Sequence, residues 1–298
     1  MSFASGPRTV SVPATSANLG PGYDTLGLAL SLRDRLTAEV RESGLTIEIE
    51  GAGSESVPRD ETHLVVSSMR AAFDAMGQHP AGLTLHCHNV IPHARGLGSS
   101  SAAIVGGLVL ARALVEDGES LLSDAALFNL AASIEGHPDN VAPAFYGGLT
   151  ISGHDDAGFY SVLSPVDPSI TVVVFIPTDG VETKKARGML PPSVPHAEAA
   201  ANSGNAALLI AALAGQPDQL FRATGDYLHQ KYRRPAMPAS ADLVDELRRD
   251  GIPAVISGAG PTVLAFTTND RDELSSRCPA GWESLHLLIE TRGAFVQA

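Results

Sequence analysis

The stretch IPHARGLGSSSAAIVGGL, Ile91 to Leu108, runs a glycine-serine turn straight into small and apolar residues at helical spacing. A turn of this kind holds a dinucleotide, holds a phosphate, or merely caps a helix. The dinucleotide fingerprint needs a third glycine, and this chain has Ser101 there. The lysine-dependent phosphate loops need a lysine in the turn or on a nearby strand, and no lysine precedes Lys184. Two readings remain open from the loop alone. Either it caps an ordinary helix, or it is a lysine-free cradle in which unpaired backbone N–H groups and the positive helix end hold anionic oxygens. In the second reading Ser99, Ser100 and Ser101 offer hydroxyls to a phosphate or to a magnesium ion.

Working outward, Val10 and Val12 alternate like a short strand that Pro13 ends. The segments DRLTAEV and LTIEIEG, separated by RESG, read as a hairpin. HLVVSSMRAAFDAMG is helical in pattern, and GLTLHCHNVIP is the strand that leads into the loop. A further helix, SDAALFNLAASIEG, has Ser123 as its N-cap and Gly136 as its stop. The second half predicts helices over 196–214, 217–229 and 239–250, then two strands around the turn in AVISGAGPTVLAF. The mixture of helix and strand without regular βαβ alternation predicts an α+β chain, with a domain boundary near residue 165.

Composition narrows the function. Acidic residues outnumber basic ones, 33 to 20, for a formal charge of -13, and no basic tract is present, so nucleic acid is not an expected partner. Apolar runs are broken well short of the roughly 18 residues that cross a bilayer, and no signal peptide is evident. The expected compartment is the cytoplasm. Cys87 and Cys278 lack metal-ligand spacing and read as incidental thiols.

Two other stretches carry more polar groups than turns require. TSANLGPGYDTLGLA holds Asn18 and Asp24 among three glycines, and EGHPDN places Glu135, His137, Asp139 and Asn140 at a predicted helix end. Each residue has a structural reading as a turn former, solvated charge or cap.

Three blocks in order resemble the GHMP kinases: VPATSANLGPGYDTLGLAL at 12–30, PHARGLGSSSAA at 92–103 and SGAGPTVLAF at 257–266. Within that superfamily EGHPDNVA, ETKKARGMLP and LHQKYRRPAMP are most similar to the homoserine kinases. Tyr23 and Arg234 depart from the usual pattern, where Phe and a small residue are more common. The resemblance implies a two-domain α+β fold: a ribosomal-protein-like ATP-binding unit over 1–165 and a ferredoxin-like unit over 166–298. It implies transfer of phosphate from ATP, with Mg2+, to the hydroxyl of L-homoserine, and a homodimer.

By position, Pro92, Arg95, Gly96, Leu97, Gly98, Ser99, Ser100, Ser101 and Ala102 would surround the ATP phosphates. Ser100 and Glu135 would hold magnesium, and Asn18, Asp24, His137, Arg187 and Arg233 the amino acid. Thr183 would lie near the reaction, and Asp139 would act as a base or only shape the loop. Gly258 and Gly260 would support the phosphate loop. Arg233 takes the arginine role rather than Arg234 because the pattern is Tyr-Arg-x-Pro. A kinase for another small alcohol, or a ligand sensor on the same fold, are the alternatives.

Overall fold

The computed structural model describes residues 3–180, 186–268 and 271–297. The first part runs β1 (Arg8–Ala17), β2 (Leu26–Arg41), β3 (Gly44–Gly51), α1 (Leu64–Ala75), β4 (Gly82–Asn89), α2 (Ser99–Ala113), α3 (Gly118–Leu121), α4 (Asp124–Glu135), α5 (Val141–Tyr146), β5 (Leu149–Asp155) and β6 (Gly158–Ser164). The second runs β7 (Thr171–Ile176), α6 (His196–Leu213), α7 (Leu220–Ala223), α8 (Gln230–Arg233), α9 (Pro238–Arg249), β8 (Ala254–Ile256), β9 (Val263–Thr267), α10 (Arg271–Ser275), β10 (Glu283–Leu288) and β11 (Phe295–Val296).

The first sheet has the order β11-β1-β2-β4-β3, with β5 and β6 joined through the start of β2. The second has the order β10-β7-β9-β8, all antiparallel, which is the split βαβ arrangement of ferredoxin-like units. The chain leaves the first sheet at Ser164 and enters the second at Thr171, and β11 then returns to pair with β1.

Helix α2 is the centre of the first part. Its residues from Ser101 to Ala111, apart from half-buried Ala103, are buried, including two adjacent glycines that let it be gripped from both sides. A Cβ on Gly106 would come within 2.5 Å of Leu36 on β2, and one on Gly107 within 2.7 Å of the Val65 carbonyl on α1. The helix is therefore sandwiched between the sheet and α1, and the loop that starts it inherits a fixed position. In the second part β7 alternates. Val172, Val174 and Ile176 join the large core that also contains Leu209 and Leu213 of α6, while Val173 and Phe175 face Leu243 and Leu247 of α9.

Three expectations need correction. Pro13 does not end β1, because the strand continues to Ala17 past an irregularity between Pro13 and Ala14 that absorbs the missing N–H. Strands β2 and β3 are not a hairpin: β4 lies between them, antiparallel to β2 and parallel to β3. Alternation along β4 puts Leu83, Leu85 and Cys87 on the buried face, while its backbone pairs on both edges. The expected helix over 217–229 is a 3-10 turn followed by the short α7, since Asp226 binds the amides of Leu228 and Gln230 and starts a new helix. Caps at Ser123 and Gly136 are as expected: Ser123 Oγ accepts from the Ala126 amide, and Gly136 closes α4 with a left-handed φ of 87°.

Asp34, 5% exposed on β2, ties the end of β4 to the loop. Its Oδ1 accepts from the amides of Val90 at 2.6 Å and Ile91 at 2.9 Å. Burial pushes its pKa up to about 6 from an ordinary 3.8, against the pull of those two amides. A raised carboxyl binds its proton more tightly when folded, so the ionised form costs stability above the folded value and nothing below the unfolded one. Asp34→Asn keeps an acceptor for both amides without the buried charge. It is expected to be more stable than the parent by about 2–3 kcal/mol at pH above about 7, an advantage lost below about pH 4. Denaturation curves at the two pH values check this, and an advantage that does not change with pH contradicts it.

Candidate active site

The first turn of α2 meets three loops. Gly98 caps the helix in a left-handed conformation (φ 71°) with no side-chain cap, and the first turn holds no acidic residue. The helix N–H groups without intrahelical partners are thus left facing a cleft of about 250 Å³. The left-handed φ of Gly96 (79°) and Gly98 is one reason for glycine, and space is the other. A Cβ would lie 2.3 Å from the Ser257 carbonyl at Gly96 and 1.9 Å from Thr15 Oγ1 at Gly98.

The third glycine block closes from the other domain. Ser257 Oγ donates to the Gly96 carbonyl at 2.6 Å, and the Gly258 amide donates to the Ala17 carbonyl at 3.0 Å. Gly258 then accepts from Asn18 Nδ2 at 2.8 Å and from Arg233 at 3.3 Å. Gly260 turns the chain at φ 86°, with its amide on the Ser257 carbonyl at 2.9 Å.

Around the cleft stand Asn18, Glu135, His137, Asp139, Arg187, Arg233 and Gly258. Ser100 Oγ donates to Glu135 Oε1 at 2.8 Å. Burial raises the Glu135 pKa, and this hydrogen bond opposes the rise. Two oxygen donors thus converge beside the helix end, a donor set that fits a hard divalent ion completing its shell with phosphate and water. Buried Ser101 Oγ has no hydrogen-bond partner among the described residues. Among the described residues no cluster of three or more His, Cys, Asp or Glu could hold a metal by itself.

Asp139 is 2% exposed, and its Oδ1 lies 3.2 Å from His137 Nδ1, close but without hydrogen-bond alignment. Burial disfavours the imidazolium, yet Asp139 outweighs it and holds the His137 pKa above the usual range. Asn140 accepts from Thr15 Oγ1 at 2.8 Å and so fixes this loop to β1.

On the opposite wall Arg187 grips Asp24 with two bonds, at 2.6 and 3.0 Å, and also donates to the Tyr23 hydroxyl at 3.1 Å. Arg233, 1% exposed, has no carboxylate within ion-pair distance among the described residues. Arg234 instead points to the surface, where it pairs with Asp242 at 2.6 Å and with Asp245. The two neighbouring arginines therefore have opposite fates, and only Arg233 lines the cleft.

Several expected residues take part through backbone alone. Leu97 is fully buried in the core, and its carbonyl accepts from the Thr15 amide at 3.0 Å. Arg95 turns away from the cleft, because its guanidinium is used by the carbonyls of Pro177, His93 and Thr178. Pro92 lies at the loop entrance, outside the cleft lining. Ala102 lines a second cavity of about 230 Å³, which shares Ser99 and Ser100 with the cleft and is walled by Val57, His63 and Asn89. Thr183 lies outside the described residues. Tyr23, Thr15, Ser257 and His229 were not among the expected site residues, although all four fall inside the quoted blocks.

This arrangement of an uncapped helix end braced by two further glycine loops matches known proteins throughout the chain. Residues 63–148 match the GHMP kinases N terminal domain and residues 205–283 the GHMP kinases C terminal domain. The chain belongs to the GHMP kinase family. It is 54% identical to a homoserine kinase of Streptomyces coelicolor over 99% of this chain and 96% of that protein. It is 46% identical to a homoserine kinase of Clavibacter michiganensis subsp. michiganensis over 99% of this chain and 96% of that protein. The crystal structure of homoserine kinase from Cytophaga hutchinsonii superposes with a TM-score of 0.84 at 25% identity, covering 98% of this chain and 97% of that one.

Proposed function

We propose that this GHMP kinase transfers the terminal phosphoryl group of ATP to the side-chain hydroxyl of L-homoserine, giving O-phospho-L-homoserine for threonine biosynthesis. The observation that carries the reading is one cleft with the uncapped start of α2 on one wall and Arg187 and Arg233 on the other, with Asp24 held beside it by Arg187. A zwitterionic acceptor supplies an ammonium for Asp24 and a carboxylate for the arginine forks. Binding would exchange the Asp24–Arg187 ion pair for two pairs with substrate, so neither charge is left unpaired. An alcohol without those charges, such as mevalonate or a sugar, gives this wall no such exchange. Asn18 spends its amide on Gly258 and its carbonyl on the Asp24 amide, which supports a role in holding Asp24 as well as in touching substrate.

In this proposal the ATP phosphates rest on the N–H groups of 98–101, and the adjoining apolar cavity that shares Ser99 and Ser100 takes the nucleoside. Ser100 and Glu135 would hold Mg2+, which when bound supplies charge neutralisation for the phosphates. The remaining work belongs to the chain. Its helix end faces the developing charge on the transferred group, and the arginine wall holds the acceptor in line. Phosphoryl transfer has a loose transition state, so alignment of this kind accelerates it without a strong base. Asp139 lies against His137 and close to Gly27, whose Cβ would be 1.9 Å from the Asp139 carbonyl, and this supports a loop-shaping role. The proposal also assigns ATP to residues 1–165 and the arginine side to 166–298, with a cytoplasmic homodimer as the working form. No helix among the described residues is long and apolar enough to cross a membrane.

The test is ADP release by purified protein with MgATP and, in turn, homoserine, serine, threonine, mevalonate and galactose. Turnover on homoserine at least about tenfold above every other acceptor is expected: mevalonate and galactose lack the paired charges, and serine and threonine set the hydroxyl one carbon short of line. Activity on mevalonate or galactose with none on homoserine contradicts the reading. Asp139→Asn is expected to keep turnover within about a hundredfold of the parent, the lower end of what general base catalysis contributes. A fall of several orders of magnitude with acceptor binding intact, measured by single-turnover kinetics, would assign Asp139 as the base instead.

A further inference from the structure

His229 is fully buried behind the arginine wall and touches neither the cleft nor solvent. Its Nε2 is 2.8 Å from the Gly20 carbonyl, and its Nδ1 is 3.2 Å from Arg233 Nη1. These two neighbours fix the proton. A carbonyl only accepts, so Nε2 must carry hydrogen; a guanidinium only donates, so Nδ1 must offer its lone pair. Only the neutral Nε2–H form satisfies both.

The surroundings agree. Burial, helped by Arg233, lowers the pKa of the ring, with Asp226, the Gly20 carbonyl and Asp24 opposing. Asp226 Oδ1 lies 3.8 Å from Nε2, but that carboxylate is already used by the amides of Leu228, His229 and Gln230. The Tyr23 ring packs on the imidazole at 5.4 Å between centroids, and the same ring lies 5.4 Å from the Arg233 guanidinium carbon and 5.8 Å from that of Arg187. Gly20 leaves no room for a side chain. Its φ is 82°, and a Cβ there would meet the Thr224 carbonyl at 2.8 Å.

We propose that His229 is a positioning residue of the acceptor site. As the neutral Nε2–H tautomer it accepts from Arg233 and donates to Gly20, and so sets the spacing between Arg233 and the loop that carries Asn18 and Asp24. Arg233 finds no carboxylate of its own, and His229 is the side chain that gives it an acceptor and keeps one edge of the fork turned to the cleft. The proposal rests on the reading of Arg233 as a partner of the substrate carboxylate.

The experiment compares the parent with His229→Leu and His229→Asn, in which the asparagine oxygen can stand near the position of Nδ1. Measured are KM for homoserine, KM for ATP, the inhibition constant of 3-aminopropan-1-ol, and the thermal midpoint. The amino alcohol keeps the hydroxyl and ammonium of homoserine without its carboxylate. His229→Leu is expected to raise KM for homoserine about tenfold or more, and to leave KM for ATP and the amino-alcohol constant within about twofold. His229→Asn should recover at least about half of the loss on a logarithmic scale. An unchanged KM for homoserine, an equal rise in all three constants, or no recovery in His229→Asn overturns the proposal. Nitrogen–proton correlation spectra of histidine-labelled parent protein give a readout that does not depend on activity. Nε2 protonated and Nδ1 bare between about pH 6 and 8 supports the tautomer, and a protonated Nδ1 overturns it. Should the parent fail to phosphorylate homoserine, the functional reading falls, while these spectra still decide the hydrogen bonding of His229.

Discussion

The start of α2 is a helix end at a cleft with no side chain to cap it, and the rest of the structure is arranged around that condition. A helix packed between a sheet and α1 cannot turn its first N–H groups to bulk water by moving, because Gly106 and Gly107 fix it against Leu36 and Val65. Its loop is held on one side by the Thr15 amide on the Leu97 carbonyl and on the other by Ser257 on the Gly96 carbonyl and the Thr262 amide on the Arg95 carbonyl. What faces those N–H groups is a cleft, and an anion is the ligand such an end accepts best.

The same constraint explains why the two parts of the chain depend on each other. The third glycine block must come close enough for Ser257 to bond the Gly96 carbonyl, and any side chain at Gly96 would push it away. Arg233 stands beside that contact, with its guanidinium on the Gly258 carbonyl, and Arg187 is held at the cleft by Asp24. The large core, which includes Val174 and Leu264 from the second sheet as well as Leu108 from α2, holds the two in one arrangement. On the arginine wall the Asp24–Arg187 pair neutralises those two charges while both groups remain within reach of a zwitterion.

Much of this was legible in the sequence where the determinants are local. Ser123 and Gly136 cap α4 because each acts on its own helix end, and the absence of lysine before Lys184 already excluded the common phosphate loops. The α+β fold and the GHMP kinase family followed from three short blocks in order. Contacts between distant segments were not legible. Nothing in β2 or β3 announces that β4 comes between them, since alternation specifies a face and not a partner. Arg95 stands in the loop sequence beside Gly96, yet it is drawn off by carbonyls more than 80 residues away. Asp24 and Arg187 were each expected to meet substrate, and their bond to one another depends on a 163-residue separation that no pattern records. His229 sat in a quoted block without a role, because its role is defined by Gly20 and Arg233 together.

The central claim is that the uncapped end of α2 is the phosphate site and that the facing ion pair opens to admit the acceptor. The most direct measurement is a crystal structure of the chain with Mg2+, a non-hydrolysable ATP analogue and L-homoserine. The account predicts phosphate oxygens within hydrogen-bond distance of the first-turn amides of α2. It also predicts Arg187 and Asp24 parted, with the amino acid between them. Phosphates bound away from that turn, with the Asp24–Arg187 pair intact beside a bound acceptor, would contradict it.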